Sequence, residues 1–198
     1  LLYRCPKCGS EFEMTSQDSH LTCKKCGNDV IYGFDGHLVP QGDGVCPDRI
    51  DLWYDAQREL VAKEVENDDF RLSNTVNLFV ENEANNGYRF VANGVLTLDK
   101  DKLCFDTDWV ERPVGVKSKY KVNNMTLDFD DALGTEAVED EFKHVEFAVS
   151  RCDTVANLPG TAVDMYDDKH VYRFMFDKVL AATKYALCIE EAYKKSKK

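Results

Sequence analysis

No run of apolar residues in this chain approaches the roughly 20 that a membrane-spanning helix needs. No apolar signal segment is visible either, which argues against a disulfide-stapled secreted fold. Basic residues are few: 25 Lys and Arg stand against 36 Asp and Glu among 198 residues, for a formal net charge of −11. Nucleic-acid binding releases counterions through a basic footprint, so this balance disfavours it. Electrostatic attachment to anionic lipid is disfavoured for the same reason. The local exceptions are Lys7, Lys24 and Lys25 near the start and Lys194, Lys195, Lys197 and Lys198 at the end. The terminal lysines read first as complements to a helix dipole. Catalytic signatures are missing too: there is no Gly-x-Ser-x-Gly elbow, Walker loop, dinucleotide fingerprint or His-Glu-x-x-His.

What is present is concentrated at the N-terminus. Cys5-Pro6-Lys7-Cys8-Gly9 is followed, after 14 residues from Cys8, by Cys23-Lys24-Lys25-Cys26-Gly27. A Cys-x-x-Cys-Gly turn is a metal knuckle, because glycine lets the backbone turn tightly and aim amide N–H groups at sulfur. Two such turns with one hairpin between them bring four thiolates to one tetrahedral ion. Cys5, Cys8, Cys23 and Cys26 are therefore the expected ligands of one structural zinc. Rubredoxin-like iron sites use the same knuckles, but with a longer separation and an aromatic-rich core, and paired cysteines also form disulfides or redox couples. A four-cysteine site is coordinatively closed, so it supports a fold and leaves no position for substrate. His20 and His37 lie near a quartet that is already complete, and read as loop residues.

A ribbon of about 40 residues cannot bury a sufficient core alone, which is why it would need the metal. Residues 1–40 are read as that ribbon and 41–69 as a linker and amphipathic helix. In that helix Asp48 or Asp51 is the cap, and Trp53, Ala56 and Leu60 the apolar side, extended by Val61 and Val65. Residues 70–198 change texture to short alternating segments and turns. Strands are expected at 75–80, 88–98, 103–105, 119–122, 125–129, 145–149, 162–166 and 171–176, with turns at Asn85-Asn86-Gly87 and 99–102 and a bend or bulge at Asn93-Gly94. A helix from about Asp177 to Lys194 closes the chain, with Val179, Ala182, Ala186, Ile189 and Tyr193 on one stripe. This order is mainly β with α: a zinc ribbon, then a pleckstrin-homology-like antiparallel barrel or bent sheet with a C-terminal helix.

Other reactive residue types read as structural. Cys104 and Cys188 sit among apolar neighbours and are expected as buried thiols. Cys152 follows Arg151 but has no visible base, and Cys46 has no activating partner. Asp128, Asp130 and Asp131 lack the glycine turn and terminal Glu of a calcium loop. Glu136, Glu139, Asp140 and Glu141 read as a solvated loop.

Three stretches together carry a family resemblance: Tyr3-Arg4-Cys5-Pro6-Lys7-Cys8-Gly9, then Leu52-Trp53-Tyr54-Asp55-Ala56-Gln57-Arg58-Glu59, and Val171-Tyr172-Arg173-Phe174 running into an amphipathic helix. In this order they resemble the C-terminal extension of some bacterial 1-acyl-glycerol-3-phosphate acyltransferases. There, an N-terminal acyltransferase domain precedes a zinc-ribbon-like segment and a globular region. The family's His-x4-Asp pair is not found: His20, His37, His144 and His170 are followed at the Asp position by Lys25, Gly42, Val149 and Met175. The resemblance therefore transfers no catalytic residue, only Cys5, Cys8, Cys23 and Cys26 as metal ligands. The chain opens Leu1-Leu2-Tyr3 without Met and is expected to be a fragment whose catalytic part lies outside it. The resemblance implies a non-catalytic accessory region of a phospholipid-synthesis acyltransferase, cytoplasmic and peripheral to the membrane through its parent. Its partners would be that catalytic domain and a lipid or protein. The alternatives are an acidic protein-interaction module unrelated to lipid and, third, a nucleic-acid-binding ribbon.

Overall fold

The computed structural model describes residues 2–82, 87–121, 124–129, 132–153, 155–158 and 160–197. The turn expected at Asn85-Asn86, the strand residue Val122, the acidic residues Asp130 and Asp131 and the tail lysine Lys198 fall outside the described residues. The chain divides into two units, Leu1–Glu64 and Val65–Lys198. No described helix is long and apolar enough to cross a membrane.

The first unit is an antiparallel meander of β1 (Met14–Gln17), β2 (His20–Cys23), β3 (Asp29–Tyr32) and β4 (Leu38–Pro40), paired in that order, followed by α1 (Ile50–Glu64). The alternation at Glu11-Phe12-Glu13-Met14 suggests an earlier strand start. The backbone of Phe12 instead turns left-handed (φ 65°), its ring stacks on Tyr3 at 5.7 Å, and the strand begins at Met14. The interior is small: Tyr3, Val30 and Leu38, with Trp53 and Val61 of the helix, are buried.

Residues 41–64, read above as linker and helix, lie inside this unit. Asn28 is fully buried, and its side-chain amide clasps both backbone groups of one residue, accepting from Val45 N at 2.7 Å and donating to Val45 O at 2.9 Å. Gly44 fits because a Cβ there would meet Asp29 O at 2.5 Å. α1 is tied to Arg4: Trp53 Nε1 donates to Arg4 O at 3.0 Å, and Arg4 N donates to Gln57 Oε1 at 2.9 Å. The buried line is therefore Trp53, Gln57 and Val61, while Ala56 and Leu60, expected to be apolar-face residues, are exposed. A polar Gln displaced them because it satisfies a backbone donor that apolar side chains cannot. Of the two expected caps, Asp51 lies inside the first turn, its carboxylate receiving Leu52 N–H. Asp48 pairs with the His37 ring and Asp51 with the Arg49 guanidinium, and Trp53 N donates to Arg49 O.

The second unit is built on β5 (Leu72–Asn82), β6 (Gly87–Leu98) and β7 (Lys102–Asp106), which form a meander. The chain then makes an excursion of two nested ribbons: β8 (Glu111–Val114) pairs with β11 (Gly134–Ala137), and β9 (Lys117–Lys121) with β10 (Asn124–Asp128). It returns as β12 (His144–Ala148) beside β7, and finishes with β13 (Ala156–Leu158), β14 (Ala162–Tyr166), β15 (Val171–Phe176) and α2 (Ala181–Ser196). The sheet order is β12-β7-β6-β5-β15-β14-β13, antiparallel throughout. This is a curled half-barrel with a C-terminal helix, as the element order predicts. Three strands carry no sequence signal. β8 contains Pro113, every residue of β11 is exposed, and β13 has three residues, so none shows an alternating pattern.

The inner face holds Leu78, Leu96, Leu98, Leu103, Phe105 and Phe174, all 0% exposed. α2 packs over it: the Tyr185 ring lies tilted against Phe176 at 4.8 Å, and its hydroxyl donates to Leu96 O at 2.9 Å. The helix starts at Ala181 rather than near Asp177, because Leu180 adopts a left-handed φ of 69° that helical residues do not share. Val179 thereby falls outside the stripe and is exposed. The outer face has a second apolar patch of Phe79, Phe90, Ala162 and Met175, covered by Trp109 and Leu127 from the excursion. Buried Arg112 pins the excursion down, reaching Phe90 O at 3.2 Å and Glu136 Oε2 at 2.5 Å, and Arg89 pairs with Glu139 at 2.9 Å. Glu136 and Glu139, read from sequence as solvated, are thus the counter-charges of two arginines.

The irregularity expected at Asn93-Gly94 lies earlier, where Phe79 pairs with Phe90 and Leu78 with Ala92, leaving Val91 extra. Gly94 serves another need: a Cβ there would lie 2.4 Å from Asp106 O and 2.6 Å from the Phe105 ring. Gly94→Ala is expected to cost roughly 1–3 kcal/mol by overpacking. Denaturant unfolding of both proteins checks this as a lowered midpoint at unchanged slope.

Candidate metal centre

The two knuckles are built alike. In each, the glycine after the second cysteine is left-handed (Gly9 φ 70°, Gly27 φ 69°) and donates its N–H to the carbonyl of the first cysteine at 2.9 Å. The first cysteine in turn donates its N–H two residues beyond the second: Cys5 to Ser10 O at 2.9 Å, Cys23 to Asn28 O at 2.8 Å. This winding aims backbone amides at sulfur. Cys5 receives Lys7 and Cys8 N–H, and Cys23 receives Lys25 and Cys26 N–H. Cys8 receives Ser10 N–H, and Cys26 receives Asn28 N–H. Six backbone donors thus face four sulfurs, an arrangement that would make the concentrated charge of four thiolates tolerable.

The four sulfurs all lie within 4.8 Å of one another. The knuckles interlock with Cys5 Sγ 3.7 Å from Cys26 Sγ and Cys8 Sγ 3.9 Å from Cys23 Sγ. Four ligands at the 2.3 Å Zn–S distance of a tetrahedral site would be about 3.8 Å apart. These separations are far beyond a disulfide bond of about 2.05 Å, and all four cysteines are free. The residues present fit one thiolate-bound ion. Cys5 and Cys23 are buried, Cys26 is half-buried and Cys8 is exposed, so the site has one face toward solvent.

The hydroxyl of Ser10 lies 2.9 Å from Cys8 Sγ and 3.6 Å from Cys23 Sγ, bridging the knuckles. Its hydrogen bond and amide draw the Cys8 thiol down to about 6. Burial pushes Cys5 up to about 12. The Asn28 amide pulls Cys26 down, but burial and the neighbouring Cys8 sulfur leave it raised. Ser10 and Asn28 occupy equivalent positions, two residues after each knuckle, and their side chains have parted in role: one serves sulfur, the other clasps Val45. Sequence reading missed both. The available signal was their matched place beside the cysteines.

The remaining candidates stay apart from this centre. His20 pairs with Asp29 at 2.9 Å and His37 with Asp48 at 3.1 Å, so both rings face carboxylates. Cys46 is half-buried outside the quartet, its thiol raised by burial and by Asp48. Burial pushes Cys104 and Cys152 each up to about 11, which keeps them as protonated thiols at neutral pH. Cys188 is fully buried in α2. Among the four acids at 136–141, Asp140 pairs with Lys143 and Glu141 lies 3.9 Å from the His170 ring. No protein-family model matches the chain, and comparison with curated proteins finds no match.

Because Cys5 and Cys26 have raised pKa values in the metal-free site, both carry protons at pH 7 and must lose them to become ligands. Zn(II) added to the metal-free protein is expected to release one proton from each, and to bind more weakly as pH falls. Calorimetric titration in buffers of different ionisation enthalpy checks the proton count.

Proposed function

We propose that this chain is a non-catalytic accessory module in which one structural zinc ion holds the N-terminal ribbon. The observation that carries the reading is the closed quartet: all four tetrahedral positions would be taken by Cys5, Cys8, Cys23 and Cys26, leaving none for substrate or activated water. Zinc is the ion of choice because four thiolates at these separations suit a soft tetrahedral centre. The buried, protonated state of Cys104 and Cys152 supports the same reading, since neither offers a thiolate nucleophile. The proposed compartment is the cytoplasm, where thiols remain reduced and available to metal.

The finer assignment is to a phospholipid-synthesis acyltransferase, which the module would position at lipid or at a partner. It rests on the resemblance of the opening knuckle, the Trp53-Tyr54 helix and the Val171–Phe174 ending. A second reading, an acidic module that binds protein rather than lipid, is favoured by a specific feature of the half-barrel: among the described residues no strand pairs with the outer edge of β12, which lies beside an acid-lined groove. Nucleic-acid binding ranks third, since Lys7, one of the three knuckle lysines, is held by Asp43 at 2.8 Å.

Metal analysis of the purified chain is expected to give about one zinc per molecule, lost in Cys23→Ala together with the ordered ribbon. The chain alone is expected to transfer no acyl group from acyl-CoA or acyl-carrier protein to lysophosphatidate, and turnover in that assay would overturn the non-catalytic reading. Vesicle flotation separates the two roles, with co-flotation supporting lipid and its absence supporting a protein partner.

A further inference from the structure

The sheet of the second unit ends on one side at β12, and the pairing of β12 with β7 shows which of its backbone groups are used. Thr107 N donates to Lys143 O at 3.0 Å and Val149 N donates to Asp101 O at 2.8 Å. In an antiparallel ladder, hydrogen-bonded pairs alternate with non-bonded ones. The register pairs Val145 with Phe105 and Phe147 with Leu103, so 143, 145, 147 and 149 bond to β7. His144, Glu146 and Ala148 turn their N–H and C=O groups the other way. Among the described residues these three amide donors meet no protein acceptor, and only Ala148 O is engaged, by the Cys152 thiol at 3.3 Å. The side chains above them lean back over β7: His144 onto Asp106 at 2.6 Å and Glu146 onto Lys102 at 2.8 Å. The two charged side chains of β12 itself are thus held in ion pairs to β7.

A groove follows this edge. Two adjoining hollows of about 480 Å³ and 350 Å³ succeed each other along β12, sharing Glu146, Asp167 and Asp168. Phe147 and Met165 line the larger hollow and Tyr172 the smaller, and the Phe147 and Tyr172 rings meet edge to face at 5.3 Å. The far wall is the β14–β15 turn. It is kept in shape by Asp167, whose carboxylate accepts from Lys169 N, His170 N and the Tyr172 hydroxyl, each at 2.8 Å. Glu141, Glu146, Asp167 and Asp168 make the rim predominantly acidic, against Arg151 and Lys169.

We propose that the free edge of β12 and its acid-rimmed groove take an extended basic segment of a partner protein as an added strand. Backbone bonds to His144, Glu146 and Ala148 would supply register. Alternate side chains would enter the groove, while lysines or arginines of the segment meet the rim. Residues 144–148 span about 13 Å of strand, so a segment of about five residues fills the edge. The inference rests on reading the chain as a binding module and names the class of partner. The zinc and acyl-transfer measurements above report on that reading whatever happens at β12, so the two fail separately.

The test uses the whole chain and a fluorescein-labelled peptide of alternating lysine and valine, seven residues long. Two control peptides are the same sequence with alternate backbone amides N-methylated, and a glutamate–valine counterpart. Ala148→Pro is the informative variant: Ala148 has φ −71° and ψ 122°, which proline adopts, and its N–H lies outside the β7 ladder. Asp168→Lys changes an exposed rim charge. By fluorescence anisotropy the lysine–valine peptide should bind, and the N-methylated and glutamate peptides should not. Each variant should bind about fivefold more weakly, the worth of one hydrogen bond or ion pair. Hydrogen exchange on the wild-type chain should show His144, Glu146 and Ala148 amides slowed by the peptide. No binding by wild type overturns the proposal. So does equal binding of the N-methylated peptide with unchanged exchange at β12, which would reduce the effect to charge attraction. A dimer of the chain that Ala148→Pro dissociates would assign the edge to a second copy and overturn it as well.

Discussion

A sheet that curls only halfway has two faces and two edges to cover, and most of the second unit follows from how those four surfaces are served. α2 fills the hollow of the curl, with Tyr185 anchored on Leu96 O and its ring tilted against Phe176. The helix also packs on β13 and β14. The outer face would leave Phe79, Phe90 and Met175 in water, and the excursion between β7 and β12 lays Trp109 and Leu127 over them. Those ribbons are too polar to stay by hydrophobic contact alone. Arg112, buried and bonded to Phe90 O, fastens them, and Glu136 balances its charge. Both faces are thereby covered, and among the described residues no strand pairs with the outer edge of β12.

The first unit meets the same requirement with fewer residues. Its four short strands enclose little more than Tyr3, Val30 and Leu38, and a core of that size does not hold a fold. The four clustered cysteines stand where one thiolate-bound ion would replace the missing apolar contacts. They also create a charge problem, which the chain solves locally: the left-handed glycines wind each knuckle so that six amides point at sulfur. The near-identity of the knuckles makes their differences informative. Ser10 adds a hydroxyl where the exposed Cys8 sulfur would otherwise face water, while Asn28 secures the chain leaving β4 and so sets where α1 begins.

The parts of this structure legible in the sequence are those with a short-range cause. The quartet was readable because Cys-x-x-Cys-Gly specifies its own backbone. The strands β5, β6, β14 and β15 were readable because they are runs of β-branched and aromatic residues bounded by turn residues. What escaped reading has long-range causes. Gln57 is buried to satisfy Arg4 N, 53 residues away, and no pattern within the helix announces that. β8 and β11 pair through their backbones and the cross-strand Arg112–Glu136 bridge rather than through an apolar face, so Pro113 and the exposed run Gly134–Ala137 resemble loop. Glu139 looked solvated because its partner, Arg89, lies on another strand. Gly94 was rightly singled out, but for curvature, when its cause is the approach of Asp106 O and the Phe105 ring.

The open edge and the acidic composition bear on each other. An unpaired strand is a standing invitation to self-association. Two copies meeting through β12 would bring together two acidic rims, each carrying Glu141, Glu146, Asp167 and Asp168, and like charges repel. The net charge of −11 adds a repulsion at longer range. The same charges lower the energy of a basic segment in that groove. Acidity, which at the sequence level only counts against nucleic acid and anionic lipid, acts at this edge as a selector: it rejects the chain's own copies and admits a partner of opposite sign.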